Sequence, residues 1–303
     1  MLIATIAFGL IDARIAGAAE LNLWPAGVPF PEVTVQAAPP DDGPSILSLD
    51  GRPSEDRRVV GIAFVDSEGF ERVCSGLYLN ARHVLTAKHC TCHANDYRVT
   101  GSTDMTSRRA TWTAATLQPF FQAGAACLNT RDFKPAEGND VAILTLNAPL
   151  LDDARQPVNQ ATSLLGDILP LDSWRATGAM RVRLVGYGST TADGQTIGRQ
   201  NDATMQINST DCGSRAARSL GCRAYREMII GLRRRGEPPV DSCAGDSGGP
   251  VFLPWEGREI PIGLVSRSVT GGRLGELCGQ GGIYTLLGRS DLIAWLNARL
   301  GRD

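Results

Sequence analysis

Short runs of apolar residues, separated by Gly, Asn, Asp and Ser, recur along most of the chain. Two of the clearest runs, Val59 to Val65 and Val73 to Leu79, are joined by an acidic turn at residues 66–69, and Val84 to Ala87 continues the series. Runs of this length between turn residues predict β-strands. Because no long amphipathic helix is predicted before residue 289, the pattern favours β-barrels with Greek-key connections.

The first 45 residues do not follow this pattern. Residues 2–10 are apolar and small residues follow at 16–19, which is typical of a signal peptide and its cleavage site, although no basic segment precedes them. We expect residues 1–19 to be a signal peptide, with a misassigned start or a buried N-terminal strand as the alternative. The apolar run is too short for a bilayer, which needs roughly 20 residues. Prolines are frequent in residues 24–44, so we expect a propeptide or linker at 20–45 and a folded domain at 46–303.

Charge and cysteine content narrow the class of protein. The formal net charge of 303 residues is −2, so we expect neither a nucleic acid nor an anionic membrane as a partner. Eight cysteines, an even number, favour an oxidising compartment. The chain is long enough for one large domain or two smaller ones.

The strongest chemical signal is the segment Asp-Ser-Cys-Ala-Gly-Asp-Ser-Gly-Gly-Pro at residues 241–250. Ser247 lies among glycines, as a nucleophile on a tight turn would. Glycine permits backbone conformations in which two N–H groups converge on one point, and Gly245 and Ser247 are the predicted pair of oxyanion donors.

A serine nucleophile requires a base, and the base requires a third group to orient it. The chain has three histidines, and His89 follows the apolar run that begins at Val84. Asp140 comes fifty-one residues after His89 and opens another apolar strand. His89 and Asp140 are therefore candidates for the base and for the group that orients it, and the family resemblance described next assigns them these roles beside Ser247.

These three segments resemble the His, Asp and Ser motifs of the chymotrypsin/trypsin family of serine proteases, in the order of that family. The resemblance runs from about Val59 to the C-terminus, and it includes residues 186–188, 263–266, 282–285 and 291–300. It implies an all-β fold of two six-stranded antiparallel Greek-key β-barrels, with the active site between them and a C-terminal α-helix. It also implies an endopeptidase that works through an acyl-enzyme.

The resemblance assigns a specificity pocket as well. Asp241 occupies the place of the family's specificity carboxylate, and the other predicted substrate-binding residues are Ser242, Ser266 and Gly282. A buried carboxylate favours a cationic partner, which predicts cleavage after Arg or Lys. An exposed or internally paired Asp241 is the alternative, because an insertion lies between Ser266 and Cys278.

Two further positions depart from the family pattern. Lys88 stands where a small residue usually precedes the histidine, and Arg267 replaces a usual tryptophan. Neither departure touches the predicted triad, but both change the shape expected for the substrate cleft.

The resemblance also implies disulfides. It pairs Cys74 with Cys90 and Cys243 with Cys278. Cys212 matches a third family cysteine, but Ile230 stands where its partner is expected, so Cys222 is the simplest partner, and Cys92 then pairs with Cys127. Zinc is the rival interpretation for residues 90–93, but Cys90 already has a better partner and no second ligand pair follows. We expect no metal and no cofactor.

The resemblance implies an activation step too, because the family pairs the residue at the position of Asp246 with a newly cut α-amino group. Counting along the family pattern places that terminus near Ile46. The sequence thus predicts a secreted zymogen of a serine endopeptidase that acts as a monomer on proteins or peptides. The alternatives are a serine peptidase of other or narrower specificity and a catalytically inactive binding module.

Overall fold

The computed structural model describes residues 24–25, 52–66, 69–92, 95–118, 121, 138–158, 164–175, 180–190, 196–232, 240–269 and 278–301. The expected signal peptide, nearly all of the Pro-rich segment, Ile46 and Cys127 lie outside these residues. Fourteen strands occur in the described part: β1 (Trp24–Pro25), β2 (Arg52–Pro53), β3 (Val59–Val65), β4 (Phe70–Asn80), β5 (His83–Thr86), β6 (Asn95–Thr100), β7 (Thr113–Leu117), β8 (Ala142–Leu146), β9 (Arg181–Gly186), β10 (Asn201–Ser209), β11 (Glu227–Ile230), β12 (Pro250–Trp255), β13 (Arg258–Ser268) and β14 (Gly282–Leu286).

The helices in the described residues are short, apart from the last. They are α1 (Leu171–Trp174), α2 (Arg215–Ser219) and α3 (Ser290–Leu300), with 3-10 turns at Lys88–Cys90 and Leu164–Asp167. Within the described residues, no helix is both long and apolar enough to cross a membrane.

The strands form two closed antiparallel barrels. The first has the order β4-β3-β6-β7-β8-β5 and closes through β4 and β5, with β1 added beside β4. The second has the order β11-β14-β13-β12-β9-β10 and closes through β10 and β11, with β2 added beside β10. The predicted fold, two six-stranded antiparallel barrels followed by a C-terminal helix, is confirmed.

Strand β3 illustrates how the apolar runs build this arrangement. Successive side chains of a strand point to opposite faces. Val60, Ile62 and Phe64 accordingly pack inside the first barrel, while Val59 and Ala63 belong to a second cluster that includes residues of both barrels. Both faces of the strand are buried, which explains why its sequence is apolar throughout rather than alternating.

The C-terminal helix packs against the same inter-barrel cluster. Leu292 and Leu296 lie one turn apart on α3 and are fully buried there. The helix begins at Ser290, one residue before the segment 291–300 that resembles the family's C-terminal helix, and Gly301 follows its end with a φ of 72° that suits glycine.

An ion-pair cluster fixes the segment that leads into the first barrel. Arg58 and Arg183 each approach both Asp56 and Glu259 at 2.6 Å, and the guanidinium of Arg58 lies 4.0 Å from the ring centre of Phe252. Burial would raise the pKa of Asp56, but the hydrogen bonds and charges of the two arginines lower it to about 2. The cluster ties the start of β3 to the second barrel.

Candidate active site

Strand pairing places His89 beside Asp140. Thr86 at the end of β5 pairs with Ala142 at the start of β8, so the residues just beyond these strand ends meet at one edge of the first barrel. The backbone N–H of His89 donates to Asp140 Oδ1 at 2.9 Å, and His89 Nδ1 lies 2.8 Å from Asp140 Oδ2. Two-point contact of this kind fixes the imidazole ring relative to the carboxylate.

The second barrel supplies the remaining contacts of Asp140. Ser266 Oγ on β13 donates to Asp140 Oδ2 at 2.6 Å, and Thr285 Oγ1 on β14 donates to the carbonyl of Asp140 at 3.1 Å. Burial would raise the pKa of the Asp140 carboxyl, but attraction to His89 and the hydrogen bonds from His89 and Ser266 outweigh it, so the pKa lies below its usual value. Asp140 is therefore held as an anion although only 2% of it is exposed.

Ser75 on β4 joins the loop of Ser247 to the first barrel. The N–H of Ser75 donates to the carbonyl of Ser247 at 2.8 Å, and its hydroxyl donates to the carbonyl of Gly245 at 2.8 Å. Ser75 Oγ also accepts from the N–H of Tyr187 at 2.9 Å. Ser75 is fully buried, and its N–H and hydroxyl together form three hydrogen bonds, with Ser247, Gly245 and Tyr187.

Ser75 is not among the site residues predicted from the sequence. The available signal was a small polar residue directly after Cys74, inside a strand that is otherwise nearly all buried. Cys74 forms a disulfide with Cys90, the residue after His89. The nucleophile loop and the histidine loop are therefore both anchored on two adjacent residues of β4.

The backbone around Ser247 has the features expected of an anion-binding turn. Gly245 has a φ of 96°, a conformation that L side chains rarely adopt. A Cβ there would lie 2.9 Å from the Cα of Gly188, so a side chain would also collide with the neighbouring loop. Within the part of the chain that the structure describes, neither the N–H of Gly245 nor that of Ser247 donates to a protein acceptor.

Asp241 is completely buried, with no cationic partner among the described residues. Its carboxylate accepts from the N–H groups of Ser242 at 2.7 Å and Gly281 at 2.9 Å, and Gly279 N–H lies 3.2 Å away. Burial raises the pKa of Asp241 to about 7 despite these hydrogen bonds. A Cβ on Gly282 would lie 3.1 Å from Asp241 Oδ1, so glycine keeps the space in front of the carboxylate open.

Asp246 is a second fully buried carboxylate, directly before Ser247. It accepts from the N–H of Gly188 at 2.8 Å and that of Cys243 at 2.9 Å. Burial again dominates and raises the pKa of Asp246 to about 7. In the described ranges, this carboxylate too forms no ion pair.

Three disulfides join the partners that were predicted: Cys74–Cys90, Cys212–Cys222 and Cys243–Cys278. Cys92 is also disulfide-bonded. Its pairing with Cys127 stays a prediction, because Cys127 lies outside the described residues. The sulfur atoms of Cys74 and Cys90 lie near His89, but as a disulfide they do not offer the thiolates that zinc requires.

The chain is similar in sequence to several known proteins. The chain is 29% identical over 236 residues to the "Trypsin" of Saccharopolyspora erythraea, covering 75% of this chain and 87% of that protein. It is 31% identical over 253 residues to "Serine protease 7" of Drosophila melanogaster, covering 78% of this chain. It is also 26% identical over 247 residues to "Phenoloxidase-activating factor 1" of Holotrichia diomphalia, covering 75% of this chain. The chain spans only 59% of the second protein and 62% of the third.

A solved structure shares the fold. The mouse-brain serine protease neuropsin superposes with a TM-score of 0.56 at 22% sequence identity, covering 83% of this chain and 99% of its own. The family model described as "Trypsin" matches residues 49–291, which contain both barrels. The chain therefore belongs to the trypsin family of serine proteases.

Proposed function

We propose that this protein is a serine endopeptidase in which Ser247, His89 and Asp140 hydrolyse peptide bonds through an acyl-enzyme. The main support for the proposal is the pair of hydrogen bonds between His89 and Asp140, one from the backbone N–H and one at ring Nδ1. A carboxylate at Nδ1 favours the tautomer in which Nε2 accepts the serine proton, and it stabilises the imidazolium that forms.

The reaction proceeds in two balanced steps. Ser247 Oγ attacks the carbonyl carbon while His89 takes its proton, and His89 then gives that proton to the leaving amine. Water next attacks the acyl-enzyme with His89 as base, and the proton returns to Ser247 Oγ. The N–H groups of Gly245 and Ser247 would stabilise the oxyanion in both steps, and the loss of one such donor typically costs about 3 kcal/mol.

The preferred substrates have Arg or Lys before the cleaved bond. Asp241 supports this assignment, because it is a buried carboxylate without a cation among the described residues and with open space kept by Gly282. Ser242 and Ser266 complete the predicted substrate-binding set. Other or narrower specificity is the alternative, since most of the insertion before Cys278 lies outside the described residues.

The surroundings of the enzyme follow from its disulfides. Three disulfides are typical of an oxidising compartment, which supports secretion to the extracellular space or periplasm. We further propose a signal peptide at 1–19, a propeptide or linker at 20–45 and the protease domain at 46–303. The partners are protein or peptide substrates, without nucleic acid or membrane, and the enzyme acts as a monomer.

Active-site labelling separates an enzyme from an inactive binding module. A fluorophosphonate probe should label the purified protein once per chain, and the Ser247→Ala variant should take up none. Cleavage-site profiling on a denatured protein mixture then reads the specificity. Absence of both labelling and cleavage in activated protein would refute the proposed activity, while cleavage after residues other than Arg or Lys would refute only the specificity.

A further inference from the structure

Arg267 lies directly after Ser266, at an irregular point of strand β13. Val265 pairs with Tyr284 and Arg267 pairs with Ile283, so Ser266 is an extra residue that forms a β-bulge. Bulges redirect a side chain, and they are frequent next to active sites. The bulged residue, Ser266, is the one whose hydroxyl donates to Asp140.

The guanidinium of Arg267 is held in one place. Nη1 and Nη2 donate to the two carboxylate oxygens of Glu227 at 2.7 and 2.8 Å, and Nη2 also donates to the carbonyl of Gly221 at 2.9 Å. Glu227 is fully buried, and 13% of the Arg267 side chain is exposed. Bidentate pairing of this kind fixes orientation as well as distance.

The same guanidinium reaches the hydroxyl that contacts the triad. Arg267 Nη1 lies 3.4 Å from Ser266 Oγ. Because a guanidinium has only donors, Ser266 Oγ accepts from it and directs its single hydrogen to Asp140 Oδ2. A chain of contacts thus runs from Glu227 through Arg267 and Ser266 to the carboxylate that holds His89.

We propose that Arg267 is a positioning residue for the triad. It keeps Ser266 as the donor to Asp140, and Glu227 both orients Arg267 and neutralises its charge. This inference rests on the proposed protease activity. The inference assigns a role to Arg267 that the tryptophan usual at this position of the family could not perform, because tryptophan has no positive charge.

Other charged groups also face Asp140, and they stay constant in the test. His89 binds it directly, and the ammonium of Lys88, a buried residue, interacts with it electrostatically. Arg226 and Arg289 each donate to Asn139 Oδ1, one residue away, at 3.0 Å. Changes at Glu227 or Arg267 alone therefore test the contribution of this pair to the environment of Asp140.

The charges of the pair predict opposite shifts in the acid limb of the pH–rate profile. Glu227→Gln leaves Arg267 uncompensated, and a cation near the triad disfavours protonated His89, so the limb moves to lower pH. Arg267→Met leaves Glu227 uncompensated, and the limb moves to higher pH. We expect about half a pH unit in each direction, with recovery when both changes are combined. Limbs that stay in place in both single variants would overturn the proposal.

A double-mutant cycle tests whether the effect passes through Ser266. Arg267→Met with Glu227→Gln should lower kcat about threefold to tenfold, the effect of one ordinary hydrogen bond. In a Ser266→Ala background the same pair of changes should lower kcat less than twofold. Losses that multiply would show independent effects and overturn the proposal.

The measurements use the activated protein and an ester substrate that the wild type cleaves. Fluorophosphonate titration gives kcat per intact active site, so a partly unfolded sample does not mimic a catalytic loss. If either single variant fails to fold, the test rests on the variant that combines Arg267→Met with Glu227→Gln, which leaves no unpaired charge. Its kcat is then compared with and without Ser266→Ala. Wild-type protein without turnover would refute the proposed function instead, before any variant is compared.

Discussion

Asp241 and Asp246 are two fully buried carboxylates that interact electrostatically five residues apart in one loop. Burial, reinforced by the charge of Asp241, raises the pKa of Asp246 to about 7, and burial raises the pKa of Asp241 to about the same value. In the described part of the chain neither has a cationic partner. Two such groups are costly to ionise together, and each therefore favours a cation supplied from elsewhere.

Cation binding should strengthen as pH rises. A ligand such as benzamidine pairs with ionised Asp241, and below a pKa of about 7 it must compete with a proton. The apparent Kd should therefore rise by up to tenfold for each pH unit below pH 7, and it should be constant above pH 7. Calorimetric titration from pH 5 to 9 measures this slope. Asp241→Asn should bind weakly at every pH, and a wild-type Kd that is constant across the range would contradict a buried, cation-free Asp241.

Replacing Asp241 by Ser should remove the preference for Arg and Lys. Leaving a substrate cation unpaired in a buried pocket costs about 3 kcal/mol or more, which is over a hundredfold in kcat/KM for an Arg substrate. The exposed Asp172 offers a matched control, since Asp172→Ser also removes one carboxylate. Unchanged cleavage after Arg in Asp241→Ser would place the specificity determinant elsewhere.

Ser247→Ala should abolish turnover without loss of stability. The Ser247 side chain is only partly buried, so its hydroxyl contributes little packing. Because a triad acts as a unit, kcat should fall about a millionfold, and His89→Ala should cost about as much. Thermal unfolding and turnover of the same samples check both parts. Near-normal turnover in Ser247→Ala would refute the mechanism.

Ser75→Ala should lower both stability and kcat. The change leaves the buried N–H of Tyr187 without its acceptor, which costs about 1–3 kcal/mol. It also releases the carbonyl of Gly245 beside the predicted oxyanion donors. Ser102→Ala is the matched control, because Ser102 is equally buried and accepts from the N–H of Thr111. We expect a comparable stability loss there with unchanged kcat, and equal kcat in both variants would remove Ser75 from the site.

The sequence predicted those features that depend on local chemistry. Strand β3 has the predicted bounds, since a continuous apolar run between turns determines it. The glycines of residues 241–250 predicted a tight turn, and Gly245 indeed has a positive φ that favours glycine. The short helices α1 and α2 were not predicted, because four or five residues do not establish a helical period.

Contacts between distant segments could not be predicted in the same way. Ser75 and Tyr187 are 112 residues apart, and Arg267 and Glu227 are 40 apart. Nothing local in the sequence gives the strand register that brings either pair together. Arg267 was recognised as a departure, but its partner became apparent only from the pairing of β11, β14 and β13.

Asp246 favours a cation, and the structure argues against some positions in the chain as the origin of an α-amino donor. Cleavage at Arg58–Val59 is disfavoured, because Arg58 pairs with Asp56 and Glu259 and Val59 is buried in β3. A terminus there would also have to leave the first barrel to reach Asp246. The donor must therefore come from farther upstream.

The position of β2 makes Ile46 a suitable terminus. Pro53 pairs with Asn201, and Asn201 pairs with Gly186, where an added Cβ would collide with Asp246. Two strand spacings, roughly 10 Å, thus separate Pro53 from the surroundings of Asp246. The seven residues from Ile46 to Pro53 can extend about 23 Å, which is enough to return to that carboxylate.

We therefore predict that the active protein begins near Ile46 and that another protease makes the cut, because Ser45 precedes it rather than Arg or Lys. N-terminal sequencing of the active species gives the terminus directly. A Ser45→Arg variant should activate itself if the enzyme cleaves after Arg, whereas the same variant with Ser247→Ala should stay uncut. Because a new α-amino group would neutralise Asp246, Asp246→Asn should leave the cut chain with little activity. Full activity in a chain that still begins near Ala19 would contradict the prediction and require another cation for Asp246.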